Sequence, residues 1–134
     1  MSKIVLTNGC FDLLHPGHVH FLQEAKKLGD ELWVLINDNA GVTELKGKGR
    51  PIVTEEDRWE MVMALRCVDY VSLFNTKRID KQIRDIKPAI YAKGGDYNIS
   101  KLHIDEYNAL QEVGAKIVFI PTYKGYSTTR LCQK

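Results

Sequence analysis

The 134 residues fit one domain over 1–134, long enough to bury a core without metal or disulfide staples, and a 44% hydrophobic and 27% charged composition excludes disorder and fibrous repeats. A net charge of +2 at pH 7 is too small to imply nucleic-acid binding, which leaves small anionic ligands open. Cys10, Cys67 and Cys132 are odd in number and lack CxxC spacing, so neither a disulfide framework nor a zinc cage is suggested; with no basic leader and no membrane-spanning run, a cytoplasmic protein is expected.

Ile4, Val5 and Leu6 form a β-rich run ending at Asn8-Gly9, as in a strand buried on both faces. From Pro16 to Leu28, Val19, Phe21, Leu22, Ala25 and Leu28 recur at helical spacing, with Pro16 in the first turn and Gly29 as a stop. Leu32 to Ile36 reads as the second strand, followed by a polar, Gly-rich loop. Thr54 resembles an N-cap with Asp57 in the third helical position, opening a helix with Trp59, Met61, Val62 and Leu65. Tyr70 to Leu73, Ala89 to Ala92 and Lys116 to Ile120 read as strands, Lys77 to Ile86 and Ile104 to Val113 as helices, and a short helix could start at Ser127. The alternation predicts an α/β fold: a Rossmann-like open parallel sheet of about five strands flanked by helices, with ligands beyond the carboxyl ends of the strands.

Four polar clusters follow strands. In the first, Thr7 to His18, a strand runs through a Gly-containing turn into a helix start, whose free N–H groups and dipole suit phosphate. His15 and His18, three apart, can reach one side of that start, and Gly17 leaves room for an anion. Each histidine alone would more simply be a cap or a packing residue, and a metal site with Asp12 is a third reading. The second cluster, Asn37-Asp38 and then Lys46-Gly47-Lys48-Gly49-Arg50, offers cations for phosphoryl charge, or merely a solvated loop. The third, Lys93-Gly94-Gly95-Asp96-Tyr97, lets backbone approach a ligand while Asp96 accepts from a ribose or sugar hydroxyl; a plain Gly-Gly turn would also explain it. In the fourth, Gly125 to Arg130, Ser127 would serve as an N-cap.

The GCFDLLHPGH segment strongly resembles the HxGH signature of the cytidylyltransferase-like nucleotidyltransferases. The resemblance covers essentially the whole chain. It implies that His15 and His18 contact the triphosphate and stabilise the transition state at the α-phosphorus, aided by Lys46. It places Asn8, Gly9, Cys10, Phe11, Gly17, Lys93, Gly95, Asp96, Ser127, Thr128 and Thr129 on the nucleotide, and Asp12, Asp38, Lys46 and Arg58 on the second substrate. Within the family, TNGCFDLLHPGH, LKGKGRPI, VDYV, KGGDY and STT look closest to the adenylyltransferases of heptose biosynthesis, often fused to a sugar kinase; this chain would be a free-standing version. Glycerol-3-phosphate cytidylyltransferases share HxGH and STT but lack KGGDY and typically carry an arginine where Thr122 and Tyr123 stand; FAD synthetase-like relatives differ at KGGDY.

The implied reaction joins AMP from ATP to a sugar 1-phosphate, with Mg²⁺ on the triphosphate and no protein metal ligand. The implied partners are a nucleoside triphosphate and a sugar phosphate, with no nucleic acid and no membrane, in a homodimer. A binding-only ATP sensor and an RNA-binding module built on Lys46, Lys48 and Arg50 are the competing classes; the intact histidine pair and the near-neutral charge oppose them.

Overall fold

The computed structural model describes residues 2–94 and 98–121. Five parallel strands, β1 (Ile4–Gly9), β2 (Glu31–Asn37), β3 (Tyr70–Phe74), β4 (Ile90–Gly94) and β5 (Lys116–Ile120), form one sheet in the order β3-β2-β1-β4-β5. Five helices flank it: α1 (Pro16–Lys26), α2 (Asn39–Lys46), α3 (Glu55–Met63), α4 (Asp80–Ile86) and α5 (Ile104–Val113), with a 3-10 turn at Ile99–Lys101. The Rossmann-like architecture expected from the alternation is the one observed.

The chain winds outward from β1 through β2 to β3, then returns to the other side of β1 for β4 and β5. Strand order therefore reverses between β1 and β4. Their pairing is short. Val5 faces Ile90 and Leu6 faces Tyr91, whereas β1 and β2 stay in register from Ile4 and Glu31 to Gly9 and Ile36. Beyond Leu6 and Tyr91 the two central strands part, which opens the crevice that parallel sheets place at a switch point.

Strand alternation sends side chains to two cores. Val5, Val34 and Ala92 pack with Leu22 and Ala25 of α1 and Val62 of α3; Leu6, Leu35 and Tyr91 pack with Ile79 just before α4, Ile83 of α4 and Ala109 and Leu110 of α5. Gly29 ends the first crossover tightly, since a Cβ there would meet Val5 Cγ2 at 2.8 Å and the Lys3 carbonyl at 2.9 Å.

Helix α5 and strand β5 have the bounds expected from periodicity. Other elements differ. α1 ends at Lys26, two residues short of the apolar pattern, because Leu28 and Gly29 turn back on Ala25 and Lys26 through backbone bonds. The loop expected after β2 contains a helix, α2, started by Asp38, whose carboxylate accepts from the Gly41 N–H at 2.8 Å. Thr54 occupies the N-cap of α3 without a side-chain capping bond. α4 begins at Asp80 rather than Lys77, because a Thr76 turn precedes it: the Thr76 hydroxyl donates to the Arg78 carbonyl at 2.6 Å.

Candidate active site

The turn from β1 to α1 carries the first cluster to the mouth of the crevice. Gly9 is required there by close approach, because a Cβ would lie 2.9 Å from the Phe11 ring. Phe11 adopts a left-handed backbone (φ 48), rare for a bulky residue, while its ring is buried and tilts against His18 at 5.3 Å. The turn is thus held by packing rather than by glycine freedom.

His15 caps α1 and His18 sits one turn in. The Gly17 N–H donates to His15 Nδ1 at 3.1 Å, the His15 N–H donates to His18 Nδ1 at 3.3 Å, and the rings stack with centroids 3.9 Å apart. An imidazole that accepts at Nδ1 carries its proton on Nε2, so both rings are set as Nε2–H donors. Burial, the charge of its histidine neighbour and that of Lys46 push the His18 pKa down to about 4, and burial also lowers that of His15. Two neutral, pre-oriented N–H donors at the positive end of a helix make a phosphate site.

A cavity of about 420 Å³ opens beside His18, whereas neither His15 nor Gly17 is among the described residues that line it. Asn8, Gly9, Cys10, Phe11, Asp12, His18, Lys46 and Lys93, all picked from the sequence, line it, together with Arg50 from the second cluster. Among the described residues its walls carry five cations, Lys46, Arg50, Lys77, Arg78 and Lys93, against the two carboxylates Asp12 and Glu106, a balance suited to anions. Lys93 donates to the Asn8 carbonyl and side-chain oxygens at 3.4 and 3.3 Å; burial lowers its pKa while the Glu106 carboxylate opposes that shift. The Asn8 amide oxygen also accepts from the Tyr91 hydroxyl, which fixes the amide's orientation. Cys10 is no activated nucleophile: burial raises its thiol pKa and outweighs the nearby cations.

Other residues singled out in the sequence are placed differently. The Asp12 carboxylate accepts from Arg50 Nε at 2.6 Å, from the Ile52 N–H at 2.8 Å and from the Val53 N–H at 2.9 Å, so it ties the loop after α2 to the turn before α1. Burial alone would raise its pKa, but those backbone donors and the Arg50 guanidinium hold it below the ordinary carboxylate value. Asp38 caps α2 and faces a smaller cavity of about 90 Å³. Lys46 ends α2 at the main cavity, whereas Lys48 is exposed in the following turn and does not line it.

Arg58, expected on the second substrate, is 1% exposed and is not among the described residues that line the cavity. Its guanidinium donates to the carbonyls of Val53, Cys10 and Asn37 at 2.9, 2.8 and 2.7 Å and to the Asn39 amide oxygen at 3.0 Å. It braces the ends of β1 and β2 from beneath the cavity floor. Gly95, Asp96, Ser127, Thr128 and Thr129, with the helix expected from Ser127, lie outside the described residues.

Lys77, Arg78 and Glu106 also line the cavity and were not singled out in the sequence. Lys77 and Arg78 follow β3, so the rule that ligands sit beyond strand ends could have found them. Glu106 carries no such signal: it lies in the first turn of α5 and reaches across to accept from the Ile79 N–H at 3.0 Å.

Comparison with known proteins places this geometry among others. The family model described as cytidylyltransferase-like matches residues 6–134. Bifunctional protein HldE of Desulfatibacillum aliphaticivorans is 44% identical over 132 residues, covering 98% of this chain and 27% of that protein. HldE of Coxiella burnetii is 44% identical over 133 residues, covering 99% and 28%. The chain therefore spans about a quarter of the length of these curated relatives. Among solved structures, a lipopolysaccharide core biosynthesis protein from Thermoplasma volcanium is 30% identical with a TM-score of 0.73, covering 95% of this chain and 100% of the other. Pantothenate synthetase from Thermus thermophilus, 11% identical with a TM-score of 0.67 over 98% of this chain and 61% of its own, shares the fold.

Proposed function

Because the chain belongs to the cytidylyltransferase-like family, we propose that it is an adenylyltransferase joining AMP from ATP to a sugar 1-phosphate, D-glycero-D-manno-heptose 1-phosphate, and releasing pyrophosphate. The observation that carries the reading is the stacked His15–His18 pair, with both Nδ1 atoms occupied by backbone donors at the start of α1, beside a cation-rich cavity at the sheet's switch point.

In this reading an ionised oxygen of the sugar phosphate attacks the α-phosphorus of ATP. A P–O bond forms on one side as the bond to the β-phosphate bridging oxygen breaks, and pyrophosphate leaves with the electron pair. No proton has to be removed from a phosphate nucleophile, so no strong base is needed. The protein contributes alignment and charge stabilisation: His15 and His18 donate to oxygens gaining charge, and Lys46 adds a cation at the cavity edge. Mg²⁺ arriving on the triphosphate would neutralise part of the departing charge. It suits phosphate oxygens and water, and among the described residues no three His, Cys, Asp or Glu side chains gather into a protein metal site.

The heptose acceptor is supported by the KGGDY and LKGKGRPI segments, by the similarity to HldE, and by a relative named for lipopolysaccharide core biosynthesis. A cytoplasmic homodimer completes the proposal. No described helix is long and apolar enough to cross a membrane; a monomer in light scattering at micromolar concentration would contradict the dimer. The substrate test is pyrophosphate release with Mg²⁺, offering ATP or CTP with heptose 1-phosphate, glycerol 3-phosphate or FMN. Release confined to ATP plus the heptose phosphate is the expected result. Release with CTP and glycerol 3-phosphate, or with ATP and FMN, would replace the substrates, and no release from any pair would overturn the activity.

A further inference from the structure

Arg50 sits in the turn after α2, four residues beyond Lys46, and its side chain is only 15% exposed. One edge of its guanidinium is fixed. Nε donates to the Asp12 carboxylate at 2.6 Å, and that carboxylate is itself 1% exposed and pinned by the Ile52 and Val53 N–H groups. Beside Nε, the terminal nitrogen Nη2 is buried and has no hydrogen-bond partner among the described residues, although Arg50 lines the cavity. A buried guanidinium nitrogen left without an acceptor is costly, and native folds rarely tolerate one without a use. A planar guanidinium held at Nε presents its terminal nitrogens in a fixed direction, a geometry that fits a phosphoryl oxygen and that a lysine cannot reproduce.

The position of Asp12 decides which substrate this serves. Asp12 belongs to the β1–α1 turn, beside Phe11 and on the histidine side of the cavity, whereas Lys77, Arg78 and Glu106 form the wall contributed by the turn between β3 and α4 and by α5. We propose that Arg50 is a binding residue for the triphosphate, closing on the oxygens that depart as pyrophosphate, and that Asp12 is its positioning residue. The inference deepens the adenylyl-transfer reading and rests on it for the identity of the nucleotide. It explains why an acidic side chain lies in an anion site: Asp12 aims a cation and offers the ligand no free oxygen.

The probe is inorganic pyrophosphate with Mg²⁺, titrated calorimetrically into the full chain, which reads Arg50 without reference to the acceptor. The wild type is expected to bind. Arg50→Lys, which keeps the charge and can keep one bond to Asp12, is expected to weaken pyrophosphate about tenfold, and Asp12→Asn to weaken it by a smaller factor with Arg50 still present. In turnover, Arg50→Lys raises the KM for ATP by a similar factor and leaves the acceptor KM within about twofold. Equal pyrophosphate affinity in wild type and Arg50→Lys, no binding by the wild type, or a parallel rise in both KM values would overturn the assignment. A wild type that binds pyrophosphate, with the expected loss in Arg50→Lys, but turns over none of the sugar phosphates offered would instead sink the proposed reaction and leave the anion clamp standing.

Discussion

The protonation of His18 links structure to rate at the level of a single side chain. With its pKa near 4, the ring is neutral throughout the physiological range and works as an N–H donor. Loss of His18 protonation therefore produces no limb in kcat/KM between about pH 5.5 and 8, and a rate that fell with a midpoint near 6.5 would contradict the assignment. Stability follows a definite sign. Between about 6.5 and about 4 the unfolded chain binds a proton at this position that the folded chain refuses, so folding weakens as pH falls through that window and is unaffected above it. His18→Ala removes the donor while the cap of α1 at His15 Nδ1 remains. We expect kcat to fall about 10²–10³-fold with the circular dichroism spectrum unchanged; near-normal turnover, or an unfolded variant, would count against the phosphate role. Arg58→Met tests a different kind of residue. It leaves the Cys10, Asn37 and Val53 carbonyls without their donor, and should cost about 3 kcal/mol or more. For a domain of this size that is roughly 10 °C in Tm by thermal melting.

Among the elements, the β1–turn–α1 unit was the most legible part of the sequence. A continuous apolar run, Gly9, Pro16 at the first helical position and histidines three apart each point to the same local structure. Helix α2 was not legible, because Gly41 and Thr43 are poor helix formers and Val42 is its only buried residue. Its anchor is Asp38 on the Gly41 N–H, a capping signal overlooked among loop-like residues. Arg58 could have been read better. It lies four residues before Val62 and so shares the buried face of α3, while Trp59 and Met61, taken for the apolar pattern, are 40% and 54% exposed. Even so Trp59 has a task, since its indole N–H donates to the Val71 carbonyl of edge strand β3 at 3.0 Å. The loop from α2 to α3 is held chiefly by Asp12, whose lowered pKa gives it a pH signature opposite in range to a neutral side chain. Its contribution is full above the unfolded carboxylate value near 3.9 and is lost as pH falls through the lower folded value. The stability difference between wild type and Asp12→Asn, measured by urea unfolding, should be constant from pH 7 to 5 and shrink below about 4; a difference independent of pH would mean that the carboxylate charge is not what holds the loop.

Across the whole molecule, the doubly wound sheet explains why residues distant in sequence meet. Reversal of strand order between β1 and β4 separates their carboxyl ends after only Leu6 and Tyr91, and the side chains beyond that point line one cavity. Strand–helix alternation made this architecture readable without coordinates, and with it the prediction that clusters after strands converge. The contributions of Lys77, Arg78 and Glu106 depended on tertiary placement, because exposed charges after a short strand and within a helix look the same whether or not a cavity faces them. The proposed chemistry differs from that of a kinase: in it the histidine pair at the start of α1 would serve attack at the α-phosphorus, not transfer of the γ-phosphoryl group. The most direct test is ³¹P NMR of the products formed from ATP, Mg²⁺ and D-glycero-D-manno-heptose 1-phosphate. Attack at the α-phosphorus predicts a sugar-linked diphosphate and free pyrophosphate in equal amounts, both lost in His18→Ala. ADP with a doubly phosphorylated sugar, or a spectrum unchanged from the substrates, would contradict it.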